Sequence, residues 1–296
     1  MATSAALLAR IPLQKAPKKA PAPEKAPAPI LKWVGGKGRI LSQLEPLLPA
    51  GVEMMRHVEP FFGGGALFFR RQPKRALIAD VNPTLINVYE MVRDEVGAVI
   101  VHLEKLAARG HAKETYYAVR QRYNATKMDD DERAATFIYL NKTCFNGLHR
   151  VNRRGEFNVP AGRYKNPKIL DAEALRAASV ALADADIRNE SFEGLLESAR
   201  PGDFVYFDPP YAPVSETANF TSYAQDGFGA DMQVKLRDVY RVLDRRGCKL
   251  MLSNSDVPFI RQLYRGFEID TVAAPRAVNC NARRRGKVSE VVVRNY

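Results

Sequence analysis

Apolar residues recur along this chain with two periods, and their alternation sets out the elements. From Gly38 to Leu48, Ile40, Leu41, Leu44, Leu47 and Leu48 fall at three- and four-residue spacing, which predicts a helix. Met54 to Val58 reads as a strand, and Glu59-Pro60-Phe61-Phe62-Gly63-Gly64-Gly65-Ala66 turns it into a second helix. Ala76 to Ala79 is a short apolar strand that stops at Asp80. Asn82-Pro83 opens a further helix, with Leu85, Ile86, Tyr89 and Val92 as its apolar positions.

Strand, glycine turn, helix, strand and acid in that order form the opening of a Rossmann-like nucleotide-binding unit. The rhythm then breaks. Val96–Leu106, Glu114–Tyr123 and Arg133–Leu140 read as helices with no strand between them. A basic stretch follows, HRVNRRGEFNVPAGRYK at 149–165, in which Arg154-Gly155 marks a hairpin tip. The α/β rhythm returns with a helix at Asp171–Ala181 and strands at Ala185–Asn189 and Phe204–Phe207. A helix at Asp231–Arg246, a strand at Lys249–Leu252 and a helix at Val257–Tyr264 follow. Phe267–Val272 and Val288–Val293 close the sheet. The predicted organisation is a tail (1–29), a catalytic domain in two parts (30–92 and 169–296) and an inserted helical domain (93–168).

Composition narrows the partner. The 296 residues carry 45 Lys and Arg against 33 Asp and Glu, a formal charge of +12, so a polyanion such as nucleic acid is the first expectation. Residues 1–29 hold six of the 19 prolines, and Arg10, Lys15, Lys18, Lys19 and Lys25 against the single acid Glu24. Such a segment has too little apolar surface to pack and is expected to stay extended. Cys144, Cys248 and Cys280 lie far apart, and His57, His102, His111 and His149 show no ligand spacing. No metal site and no disulfide framework are expected, and a reducing cytoplasmic compartment fits. No apolar stretch is long enough to span a membrane, and a monomer is the default expectation.

The chemistry centres on Asp208-Pro209-Pro210-Tyr211. Asp208 follows the apolar run Phe204–Phe207, at the strand edge where open α/β sheets bind ligands. Two prolines fix their own φ and remove two N–H donors, leaving a backbone that only accepts hydrogen bonds. An exocyclic aromatic amine is a poor nucleophile because its lone pair is delocalised. A carboxylate and a rigid carbonyl accepting its two N–H groups draw that pair out of conjugation and stabilise the positive charge that develops. Tyr211 offers a face for stacking a base. A plain strand-ending turn is the competing reading of the tetrapeptide.

The glycine turn permits close backbone approach to a ligand. Its spacing matches neither the dinucleotide fingerprint nor a P-loop. Asp80 is placed either to accept from ribose hydroxyls or to cap the helix at Asn82-Pro83. Trp33, the single tryptophan, either packs in the core or stacks on a ligand.

In order, LKWVGGKGRIL (31–41), EPFFGGGALF (59–68), IADVNPTLINVY (78–89), FNGLHRVNRRGEFNVPAGRYK (145–165), YFDPPYAPVSETANFTSY (206–223) and LSNSD (252–256) resemble the Dam-type DNA adenine-N6 methyltransferases over about residues 30–294. The resemblance implies an α/β, Rossmann-like methyltransferase fold with a mixed seven-stranded sheet. It also implies an inserted helical target-recognition domain with a β-hairpin. It implies S-adenosylmethionine as cofactor, held by Trp33, Lys37, Phe61, Gly63, Gly65, Asp80, Ser191, Phe192 and Asp208, and chemistry at Asp208, Pro209, Pro210 and Tyr211. Double-stranded DNA is the implied partner, read at GATC. Arg150 falls on a guanine-contacting position, Phe145 beside Asn146 on an aromatic wedge, and Lys32, Leu148 and Pro160 on base contacts. Arg163, Tyr164 and Lys165 fall on phosphate contacts. Ala218–Tyr223 matches a loop near the flipped base and RRRGK (283–287) a basic loop. Such proteins act alone or beside a cognate restriction nuclease. Lys142-Thr143-Cys144-Phe145, His149 and Val151 depart from the family pattern, which bears on stringency of sequence choice. Cytosine-N4 enzymes usually place Ser first in the tetrad and glutamine-modifying enzymes Asn, so Asp208 argues against both. A non-catalytic DNA-binding module would have lost Asp208, Tyr211 or Asp80.

Overall fold

A computed structural model describes residues 25–213, 228–275 and 287–296. Within them β1 (His57–Glu59), β2 (Ala76–Ala79), β3 (Ala185–Arg188), β4 (Phe204–Phe207), β5 (Lys249–Ser255), β6 (Glu268–Pro275) and β7 (Lys287–Arg294) form one sheet in the order β3-β2-β1-β4-β5-β7-β6. β1 to β5 run parallel, and β7 lies antiparallel between β5 and β6. The strand order reverses between β1 and β4, and a crevice at the carboxyl ends of the strands follows from that reversal.

The central strands are continuous apolar runs because both faces of the sheet are covered. Successive residues point to opposite sides: Ala76 and Ile78 join one core cluster, Leu77 and Ala79 another. The helices are α1 (Leu41–Leu44), α2 (Ala66–Arg71), α3 (Pro83–Asp94), α4 (Val96–Ala108), α5 (Lys113–Ala125), α6 (Asp130–Thr143), α7 (Ala172–Leu182), α8 (Leu195–Ser198), α9 (Ala230–Arg245) and α10 (Pro258–Leu263). α9 buries Leu236, Val239, Tyr240 and Leu243 against Val205, Phe207 and Leu250.

α4, α5 and α6 pack around Leu103, Tyr116, Tyr123 and Phe137, between β2 and β3 in the chain. The 149–159 segment docks on them. Asn124 grips the Phe157 main chain at both ends, 3.0 and 2.9 Å, and the Tyr116 hydroxyl donates to the Val159 carbonyl at 2.7 Å. The expected hairpin is present in reduced form, as an isolated antiparallel bridge between Val151 and Phe157.

Two sequence expectations change. The Gly38–Leu48 helix is α1 flanked by 3₁₀ turns at Lys37–Arg39 and Glu45–Leu47, because Pro46 supplies no N–H for a continuing helix. The Met54–Val58 strand begins only at His57, since Gly51 at φ +71° starts a 3₁₀ turn through Met54, which is exposed. Residues 1–24, the loop at 218–223 and the run 283–286 lie outside the described residues. Among the described residues no helix is long and apolar enough to cross a membrane, and no acid, histidine and cysteine cluster could hold a metal.

Candidate active site

Asp208 follows the last residue of β4, at the reversal point of the sheet. Lys37 is its partner: the ammonium lies 2.6 Å from Asp208 Oδ1 and donates to the Gly35 carbonyl at 2.7 Å. The same ammonium sits 4.7 Å from the centre of the Tyr211 ring. Burial lifts the Asp208 carboxyl to about 6, and the Lys37 charge pulls the other way without cancelling it. The Tyr211 hydroxyl donates to Glu290 Oε2 at 2.8 Å, and burial keeps the phenol protonated far above its ordinary range. Pro209 is buried and Pro210 exposed. The Pro210 carbonyl accepts from Gln233 Nε2 at 2.9 Å; among the described residues no hydrogen bond falls on the Pro209 carbonyl.

The turn after β1 lies beside this loop. Gly63 (φ +49°) and Gly65 (φ +63°) adopt the left-handed conformation that glycine takes without strain. A Cβ on Gly63 would meet the Trp33 indole at 2.8 Å, and one on Gly65 the Phe62 ring at 2.5 Å, so neither position has space for a side chain. Asp80 closes the turn from β2: Oδ2 accepts from Gly63 N and Oδ1 from Asn82 N, each at 3.0 Å. The two readings of Asp80 thereby separate, because Asn82 caps α3 itself, accepting from Thr84 N and Leu85 N. Asp80 is no helix cap, and burial raises its carboxyl above the usual range. Phe61 stacks on buried Phe192 at 5.4 Å, and Phe228 meets Phe61 edge-on at 5.6 Å. Ser191 caps the short turn into α8, its hydroxyl accepting from Glu193 N.

Trp33 is half-buried and stacks on His149 at 5.7 Å. That contact joins the 149–159 segment to the glycine turn, because Trp33 also packs against Gly63, and His149 meets Asn82 Nδ2 as well. A second joint is Asn141, fully buried on α6. Its Oδ1 accepts from Lys32 N at 2.8 Å, and its Nδ2 donates to the Lys32 and Gly147 carbonyls at 2.8 and 3.2 Å. Lys32 lies 3.9 Å from the Tyr164 ring centre and donates to the Lys142 carbonyl. Phe145 is exposed, and its N–H donates to the Pro160 carbonyl at 2.9 Å. Asn146 has φ +54°, a sharp reversal between Phe145 and half-buried Leu148. Arg150 is exposed and tethered to Asn158, by Nε to Oδ1 at 2.7 Å and by Nη2 to the carbonyl at 3.2 Å. Arg163 and Lys165 are exposed on either side of half-buried Tyr164.

Sequence reasoning passed over Asn141, Gln233, Asn254 and Glu290, and noted His149 only as a departure. Asn254 was within reach of it, lying inside LSNSD. The others sit mid-helix or mid-strand, where a polar residue gives no signal until its partner is known.

A mixed α/β sheet with Asp80, Asp208 and a glycine-rich turn gathered where its strand order reverses defines a Rossmann-like α/β enzyme. The family described as D12 class N6 adenine-specific DNA methyltransferase matches residues 33–278, and the chain belongs to it. The chain is 45% identical over 285 residues to the type II methyltransferase M.MjaIII of Methanocaldococcus jannaschii, covering 90% of this chain and 99% of that one. It is 36% identical over 263 residues to the DNA adenine methylase of Escherichia coli K12, covering 88% and 93%. It is 37% identical over 265 residues to the DNA N-6-adenine-methyltransferase of Escherichia phage P1, covering 89% of this chain and 35% of that one.

Proposed function

We propose that this enzyme transfers the methyl group of S-adenosylmethionine to the exocyclic amino group of an adenine rotated out of double-stranded DNA, within GATC. The carrying observation is the convergence of Asp208, the Pro209 carbonyl, unengaged among the described residues, and the Tyr211 face at the end of β4, beside the glycine turn.

The residues fit the donor. Gly63 and Gly65 let the turn pack directly on the Trp33 and Phe62 rings, and Asp80 lends the turn a carboxylate with lone pairs left for hydroxyls. The Phe61–Phe192 stack offers an aromatic wall, and Lys37 a buried cation suited to a carboxylate. When bound, the sulfonium supplies an electrophilic methyl group.

Asp208 accepts one N–H of the amino group and the Pro209 carbonyl the other, which localises the lone pair on nitrogen. The carboxylate then stabilises the positive charge as the new N–C bond forms, and can take up the proton that leaves. Tyr211 stacks the base, held by its bond to Glu290. Lys37 must first release Asp208, because its ammonium stands where the amino group belongs. On the DNA side, Phe145 enters the stack and Lys32, Asn146, Leu148 and Pro160 border the target. Arg150 reads guanine, and Arg163, Tyr164 and Lys165 hold phosphates. The division of labour is 30–92 and 169–296 for catalysis and 93–168 for recognition, with 1–29 as a tail. Support for GATC is the 145–165 segment together with the tethered Arg150.

Nucleoside mass spectrometry and methylation-sensitive sequencing of DNA from cells expressing the protein test the reading together. N6-methyladenine confined to GATC is expected; N4-methylcytosine, or unmodified DNA, would end it.

Trp33 is the single tryptophan, so its emission reports on the donor site directly. Donor titration is expected to change Trp33 fluorescence with the Kd that calorimetry gives. Gly63→Ala pushes a methyl into the indole and is expected to weaken donor binding about tenfold, about 1.4 kcal/mol. An unchanged Kd would separate Trp33 from the donor site.

A further inference from the structure

The Asp208–Ala212 loop contains two residues that cannot donate a backbone hydrogen bond, yet its carbonyls must point in fixed directions. Proline rings lock φ at Pro209 and Pro210, and the following Pro210 confines ψ at Pro209 to the extended region. One soft dihedral remains in this pair, ψ of Pro210, which swings the Pro210 carbonyl and the chain beyond it.

That dihedral is held by a closed ring of hydrogen bonds. Ala212 N donates to Asn254 Oδ1 at 3.0 Å, Asn254 Nδ2 to Gln233 Oε1 at 3.1 Å, and Gln233 Nε2 to the Pro210 carbonyl at 2.9 Å. Ser255 closes the other side, its N–H donating to Asn254 Oδ1 at 2.8 Å and its hydroxyl to the Ala212 carbonyl at 2.6 Å. Gln233 and Asn254 are fully buried. The direction of every bond is forced. Main-chain N–H groups only donate, so Asn254 presents oxygen to Ala212 and nitrogen to Gln233. Gln233 must then accept from Asn254 and turn its nitrogen on Pro210, whose carbonyl only accepts. The ring begins and ends on the same loop, two residues apart, with α9 and β5 as its supports.

We propose that Gln233 and Asn254 are positioning residues that aim the acceptor loop. By occupying the Pro210 carbonyl they leave the Pro209 carbonyl as the loop's acceptor for the amino group, and by holding ψ of Pro210 they set where the Tyr211 face stands relative to that carbonyl and Asp208. This rests on the amino-methylation reading above. Neither side chain touches the substrate, and neither belongs to the donor site.

The polarity of the ring gives the test. Asn254→Asp still accepts from Ala212 but gives Gln233 nothing to accept, so Gln233 turns its oxygen toward the Pro210 carbonyl. Gln233→Met keeps the volume and removes both bonds. For each, kcat at saturating DNA and donor is expected to fall about 100-fold, the scale of a misplaced reacting group. KM for DNA and Kd for the donor are expected to stay within about threefold, since the ring touches neither surface. The double variant should lose little more than either single one, because both break one ring. A single variant that keeps wild-type kcat, or loses activity only through KM or donor binding, overturns the proposal. Should Gln233→Met not fold, Asn254→Asp, differing by one isosteric atom, decides by the same measurements. A wild-type protein that leaves adenine unmodified overturns the underlying reading; an active wild type with an equally active variant overturns the ring alone.

Discussion

Asp208→Ala is expected to lower kcat by about 1,000-fold or more, at the upper end of what removal of one preorganised electrostatic group costs. The substitution removes both the acceptor for the amino group and the negative charge that meets the developing cation. Donor binding is expected to survive better than turnover, because the Asp80 turn and the aromatic wall stand apart from it. The pH dependence of the wild type carries the same information. Burial lifts the Asp208 carboxyl to about 6, so it is ionised above that value and takes a proton below it. Only the ionised form both accepts the N–H and offsets the charge. The wild-type kcat/KM, which reports the free enzyme with Lys37 still beside Asp208, is therefore expected to be flat above about pH 6 and to fall toward tenfold per unit below it. Values of kcat/KM for DNA, measured from pH 5 to 8, test this. A flat profile across that range would remove Asp208 from the chemical step.

Arg150→Ala is expected to damage choice of site more than chemistry. A two-pronged arginine contact with guanine is worth about 1–3 kcal/mol of discrimination, or roughly 5- to 150-fold. The guanidinium is already tethered by Asn158, and Asn158 N bonds back to the Arg150 carbonyl at 3.0 Å, so little ordering remains to be done on binding. The ratio of kcat/KM between GATC and a site lacking its guanine is expected to collapse by that factor. The rate on the altered site should change little. Arg150→Lys is not expected to rescue the ratio, since an ammonium cannot present two parallel donors. Asn158→Ala should give a partial loss. An unchanged ratio in Arg150→Ala would assign guanine readout elsewhere.

Much of this could be read along the chain. Phe204–Phe207 running into Asp208, and Ala76–Ala79 running into Asp80, mark strand ends because continuous apolar runs bounded by turn residues have few other solutions. Elements with irregular backbone were read less well. Pro46 divided a helix that apolar spacing alone had joined, and Gly51 delayed a strand, since hydrophobic period carries no information about backbone donors. For Asp80 both readings were open until Asn82 proved to cap α3, a choice that depends on side-chain direction and not on order in the chain.

By itself, then, the sequence determined the class of fold and the family, and singled out the 208–211 tetrad, because these rest on residue type and local order. Tertiary structure alone decided which carbonyl of the tetrad is engaged. It alone placed Lys37 across Asp208 and Tyr211, and joined the 145–165 segment to the glycine turn through Trp33, His149 and Asn141. The reason is distance along the chain. Gln233 and Asn254 lie 23 and 42 residues from the loop atoms they hold, and a polar residue reveals its function only when folding brings it to its partner.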